Sequence, residues 1–454
     1  MVDKKPKDLL DADLEHVWHP VTQHSVLKEK PPMMAMSGSG CVVRDASGKE
    51  YIDTMAGLWC VNVGYGQDEI RRAVDAQMQK LAYYPHTAAN PPASELAQQI
   101  SKSLGAGLSR TYFTSSGSES NESAFKIARQ YGRQANPGQN RYKIIARHRG
   151  YHGTTMGALS ATGQSERKWK FEPLVPGFLH AAPAYCYRCA FNKTYPGCDL
   201  ECAKQIETMI LHEGPETCAA VIVEPIVGGG GLLVPVEEYL PEVRRITQKY
   251  GVLLISDEVI CGFGRTGQMF GFQTFDIEPD IVTMAKGISS AYLPLGAVAA
   301  TEHVFSTFLG DASERVHLNQ VNTYGGHPVA CAAALANLKI IQEQKLADRA
   351  RTFGNEVFEE LRELERYACV GEVRGRGMLW GIELVRDKKS KEPMPQEEVG
   401  KIVAEAAQKG VLIGRTAMIT FHLNNVLTMS PPLVITREEV NVVIKVLHEI
   451  LSEA

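Results

Sequence analysis

The chain has 454 residues, 44% of them hydrophobic and 22% charged, with a formal net charge of −4. That is the composition of an ordinary globular protein, long enough for more than one domain. There is no basic excess to suggest nucleic acid or an anionic membrane surface as partner. No run approaches the roughly 18 apolar residues of a membrane span, and MVDKKPKDLLDADLEHVWHP lacks the apolar core of a signal peptide. The expected setting is therefore the cytoplasm.

Taken in order, the first 35 or so residues read as an arm with one helix. Leu14, Val17 and Trp18 share a face there, and Pro20 limits the helix. GCVVRDASGKEYIDTMAG alternates polar and apolar residues around a Ser-Gly turn and predicts a hairpin. GLWCVNVGYG is a glycine-punctuated loop in which Trp59 either lines a pocket or fills a core. Two amphipathic helices follow, EIRRAVDAQMQKLAYY and PPASELAQQISKSL, the second with Ser94 as its predicted N-cap.

From Arg110 the pattern changes to alternating strands and helices. RTYFTSSGSESNESAFKIARQ predicts a strand, a Ser/Gly turn and a helix, and such a turn aims free amides at an anion. Ser115, Ser116 and Ser118 can add hydroxyl donors. The next strand leads to Tyr151-His152-Gly153, where an aromatic ring can stack on a flat ligand. Another ends at Glu224-Pro225 before four glycines. GVLLISDEV and DIVTMAKG read as buried parallel strands delivering Asp257, Glu258 and Lys286 at their carboxyl ends, where open α/β sheets bind ligands. A lysine amine that condenses with an aldehyde, and a carboxylate that keeps a pyridine nitrogen protonated, together describe a pyridoxal phosphate site; the alternative is a plain salt bridge. VNTYGGHPVACAAALANL predicts a tightly packed helix start after Thr323, and the rest reads as an α+β unit.

One cluster stands apart. Cys186, Cys189, Cys198 and Cys202 follow a C-x2-C-x8-C-x3-C spacing. Four thiolates so spaced can hold zinc, or they can be reduced thiols on a loop. The site reading includes no metal.

The motifs SGSESNE, YHG, EPI, LLISDEVICGFGRTG, DIVTMAKGISSAYLPLGAV and TYGGHP, in this order and spacing, resemble the class III aminotransferases over essentially the whole chain. The resemblance implies an α/β, aspartate-aminotransferase-like fold (fold type I), with a large domain around a mostly parallel sheet and a small α+β domain. Residues 1–60 would form the arm and part of the small domain, 61–329 the large cofactor-binding domain, and 330–454 the C-terminal small domain. It implies pyridoxal 5′-phosphate as cofactor. Lys286 would hold the cofactor aldehyde and carry the substrate proton, and Asp257 would face the pyridine nitrogen. Ser116, Gly117, Ser118, Tyr151, His152, Glu224, Val259 and Thr323 complete the cofactor set. Thr323 would reach the neighbouring subunit, so the minimum assembly is a homodimer with shared sites, or a tetramer built from it. The family turn most often has alanine where Ser120 stands.

Within the family the chain resembles the ω-amino acid:pyruvate enzymes. The implied partners are a small amino donor and pyruvate, with taurine the best-matching donor and sulfoacetaldehyde and alanine the products. Trp59, Tyr151 and Arg415 are the implied substrate residues, with Glu224 able to pair with Arg415. β-Alanine or a simple ω-amine is the alternative donor, and an aminomutase or decarboxylase on the same fold the alternative reaction.

Overall fold

The computed structural model describes residues 5–454. A small antiparallel sheet opens it: β1 (Ala35–Ser39), β2 (Val42–Asp45) and β3 (Glu50–Asp53). Asp45 closes the β2–β3 turn by accepting from the Ser47 and Lys49 amides. The short strand Val411–Leu412 joins β3 in parallel, so the first and last parts of the chain share one sheet.

The central sheet contains β4 (Leu108–Thr114), β5 (Lys143–Arg147), β6 (Phe178–Ala181), β7 (Cys218–Val223), β8 (Leu253–Asp257), β9 (Ile281–Met284) and β10 (Gly296–Thr301). Their order is β4-β10-β9-β8-β7-β5-β6, and only β10 runs antiparallel to its neighbours. Every residue of β7, β8 and β9 is buried, as expected of strands covered on both faces. The parallel strands therefore end together on one edge, where Thr114, Arg147, Val223, Asp257 and Met284 are their last residues. A second antiparallel sheet, built on β11 (Val370–Arg376) and β12 (Leu379–Asp387), adds Val426–Met429 and Gly414–Arg415.

Two local expectations fail for identifiable reasons. The helix Pro91–Leu104 is capped by Asn90, not Ser94, because the Asn90 side chain accepts from the Ala93 amide while Pro91, which has no amide hydrogen, occupies the first turn. The N-terminal helix stops at His16, and Val17 is already extended. Trp18 lies 90% exposed and Val17 is exposed too, whereas Leu14 is half-buried, so the three do not form one packed face.

Candidate active site

The strand ends enclose one cavity. Its wall contains Ser116, Gly117, Ser118, Tyr151, His152, Glu224, Asp257, Val259 and Lys286, together with Asn121, Gly153, Ile260 and Ala285.

One end of the cavity is the N-terminus of the helix Gly117–Ala135, which is suited to an anion. Ser116 caps it, accepting from the Glu119 amide, and Glu119 in turn takes the Ser115 amide at 2.7 Å. That exchange removes Ser115 from the cavity wall and leaves the first-turn amides of Gly117 and Ser118 without intrahelical acceptors. Gly117 packs closely, since a Cβ there would lie 3.1 Å from both Val259 methyls. Ser120 is fully buried, and its hydroxyl bonds to Thr114, Ser116 and the Met284 carbonyl. The hydroxyl that departs from the family's alanine thus ties the helix to β4 and β9.

Asp257 is 2% exposed. Its Oδ2 accepts from Asn121 Nδ2 and meets His152 Nδ1, each at 2.8 Å, and its Oδ1 takes the Val259 amide at 3.1 Å. Neighbouring Glu258 faces the other way. It accepts from the Gly271 and Phe272 amides and from Ser256, and its burial pushes the carboxyl up to about 7. It holds a loop and takes no part in the cavity.

Lys286 follows β9 in a left-handed conformation, φ 49°. Among the described residues its amine forms no hydrogen bond or ion pair. Burial lowers its pKa from the ordinary 10.5, against the opposing pull of Cys60, Asp257 and Glu224. Glu224 is buried and accepts from the Tyr151 and Gly228 amides; burial pushes its carboxyl up.

A half-buried amine that makes no hydrogen bond among the described residues, a carboxylate at another strand end and free helix amides share one cavity. They match the aldehyde, ring nitrogen and phosphate of pyridoxal phosphate, and Tyr151 and Val259 supply apolar surface for its ring.

The other three predicted residues lie outside this wall. Trp59 is in the core, 7% exposed, on a turn with φ 63°; its neighbour Cys60 is close enough for Lys286 to oppose the upward push that burial gives the thiol. Arg415 donates to the Gln396 carbonyl at 2.7 Å and lies against Gly400. It does not pair with Glu224, whose oxygens are engaged by backbone amides. Thr323 is exposed, and its carbonyl accepts from Tyr83. Asn121 was missed from the sequence, although it sits one helical turn beyond Gly117 and so on the same face. The four clustered cysteines line one small cavity of their own, all as free thiols. Among the described residues no group of three or more His, Cys, Asp or Glu is placed to hold a metal ion, and no helix is long and apolar enough to cross a membrane.

The family model for aminotransferase class-III matches residues 25–451. An uncharacterised aminotransferase of Bacillus subtilis is 45% identical over 97% of this chain and 96% of its own. The taurine–pyruvate aminotransferase of Bilophila wadsworthia is 41% identical over 96% of this chain and 95% of its own. The crystal structure of a Bacillus anthracis aminotransferase superposes with a TM-score of 0.95 at 44% identity, covering 100% of both chains. The chain belongs to the class III aminotransferases. It is a pyridoxal phosphate-dependent enzyme of fold type I.

Proposed function

We propose that the enzyme moves the amino group of an ω-amino acid, taurine the first choice, to pyruvate, yielding sulfoacetaldehyde and alanine. The likeness to a taurine–pyruvate aminotransferase over nearly all of both chains is the observation that carries the donor and acceptor. The cavity supports the reaction class.

When bound, pyridoxal phosphate supplies an aldehyde that exchanges with amines and a ring that takes up electron density from the substrate carbon. The protein's part follows from its residues. The Gly117 and Ser118 amides would hold the phosphate. Asp257, fixed by Asn121 and His152, would keep the ring nitrogen protonated. Tyr151 and Val259 confine the ring. Lys286 Nζ would hold the aldehyde carbon, and its freed amine would be the base placed to take the proton from the donor's amine-bearing carbon. The same groups run in reverse with pyruvate.

Thr323, exposed and absent from its own chain's cavity wall, serves the second subunit of a homodimer in this reading. A neutral ω-amine is the second candidate donor, because Arg415 is held by a backbone carbonyl outside the cavity. Initial rates with pyruvate and taurine, hypotaurine, β-alanine, 4-aminobutyrate or putrescine test the choice. Taurine or hypotaurine should lead; a strong preference for a carboxylate donor or a diamine overturns the taurine assignment.

A further inference from the structure

Arg167 stands on the short turn Ser165–Lys168. Its guanidinium carbon lies over the ring of Tyr151, 5.1 Å from the centroid. Tyr151 belongs to the cofactor cavity, whereas Arg167 belongs to a second cavity whose wall also holds Thr154, Met156, Glu166, Trp169, Lys170 and Phe421. The two adjoin along one backbone segment, since Gly153 lines the first and Thr154 the second.

The guanidinium is only partly engaged. Nε donates to Gln164 Oε1 at 2.7 Å, and Nη2 reaches the Ala417 carbonyl at 3.4 Å. Among the described residues Nη1 makes no hydrogen bond, and no carboxylate forms an ion pair with the side chain. Other withdrawn arginines are satisfied in two ways: Arg188 and Arg374 share Glu383 and Arg244 takes Asp280, whereas Arg265 donates to the Pro431 carbonyl and Asn62, and Arg149 to the Gly230 carbonyl. A cation partly removed from water without a counter-ion is costly, and burial accordingly lowers the Arg167 pKa, with Tyr151 and Glu166 opposing. A bound anion removes that cost. Trp169 and Phe421, both exposed and with ring centroids 6.1 Å apart, line the same cavity, and Lys170 adds a second positive charge to it.

We infer that Arg167 binds the distal acid group of the amino donor, a sulfonate or carboxylate, while the donor's amine is presented to Lys286. The inference rests on the reading that the donor is an ω-amino acid. It makes Arg167 a specificity determinant, separate from Arg415. Arginine's planar fork suits either oxyanion.

The test uses holoenzyme of the wild type, Arg167→Gln, Arg167→Lys and Arg415→Gln. Calorimetry measures binding of ethanesulfonate and propionate, unreactive anions without the amine. Kinetics compare taurine and β-alanine with propylamine, which has no acid group. Arg167→Gln should weaken anion binding about tenfold or more. It should raise KM for the acidic donors with kcat nearly unchanged, and leave propylamine turnover intact; Arg167→Lys should recover part of the loss. Equal losses with acidic and neutral donors would assign Arg167 to holding Tyr151 and overturn the inference. So would a loss of anion binding in Arg415→Gln but not in Arg167→Gln. If wild type turns over no acidic donor, the ω-amino acid reading falls, and the anion titration still decides whether Arg167 is an anion site.

Discussion

His152 Nδ1 lies 2.8 Å from Oδ2 of Asp257, the same oxygen that accepts from Asn121. With a carboxylate as acceptor the ring donates from Nδ1. The carboxylate is thus fixed in orientation by two side chains, and in the proposed reaction its charge would face the ring nitrogen. Asp257→Asn keeps the shape and removes the charge. It should lower kcat by about 10²–10³-fold, the scale of a lost preorganised electrostatic contact, while thermal unfolding changes little. His152→Ala removes only one charge-assisted hydrogen bond, about 1.5–3 kcal/mol, and should show a smaller loss with weaker cofactor retention in equilibrium dialysis.

Lys286 gives a prediction in pH. Its pKa is lowered from 10.5 by burial. A lowered lysine pKa means that the neutral, nucleophilic amine appears at lower pH than in a free lysine. The rate at which apoenzyme captures pyridoxal phosphate, followed by absorbance, should rise with pH and level off below pH 10.5. Lys286→Ala should bind cofactor without covalent capture and show no transamination. Turnover persisting in that variant would remove Lys286 from the mechanism.

Much of this site is legible in the sequence because it depends on strand ends and helix starts. Asp257, Lys286 and Glu224 each terminate a short apolar run, and Gly117 begins a helix, so local pattern places them at one sheet edge. Asn121 needed the further step of helical phase. The residues that failed to appear in the cavity depend on longer-range information. Arg415 sits on a two-residue strand whose partner is Val426–Met429, and its direction is decided by the Gln396 carbonyl, which no local pattern signals. Thr323 is exposed, and the role proposed for it needs a second chain. Glu258 shows the limit inside one dipeptide: it shares a strand end with Asp257, yet its partners are amides at residues 271 and 272. The Asn90 cap was hidden by the two prolines that follow it.

Gly153 joins the cofactor cavity to the loop that leads to Arg167. Its φ is 136°, and a Cβ there would lie 2.5 Å from Ser118 Oγ and 2.8 Å from Ala158 Cβ. Ser118 Oγ already accepts from the Thr154 amide at 3.1 Å. Gly153→Ala must therefore strain the backbone and displace the anion-binding turn at once. A cost of about 1–3 kcal/mol in stability, read in urea unfolding, should accompany a larger loss of cofactor affinity than of fold. Ordinary cofactor affinity in the variant would mean that Ser118 can move without consequence.

Glu383 on β12 is fully buried and bonds to Tyr185, to Arg188 at 2.5 Å and to Arg374 at 2.7 Å. Tyr185 and Arg188 belong to the segment that follows β6 of the central sheet, so this carboxylate fastens that segment to the C-terminal sheet. Burial alone pushes the Glu383 carboxyl up; Arg374, Tyr185 and Arg188 outweigh it and hold the pKa below its ordinary value of 4.5. Glu383→Ala would leave Arg188 without a counter-ion, while Arg374 keeps Glu372 at 2.6 Å, at a cost of about 3 kcal/mol. Because the folded-state pKa is depressed, the carboxylate's contribution is complete above the unfolded value near 4.5 and is lost as pH falls through the folded one. Urea unfolding should therefore show a wide gap between wild type and variant at neutral pH that narrows in acid. A gap that stayed constant with pH would mean that Glu383 contributes packing and not charge.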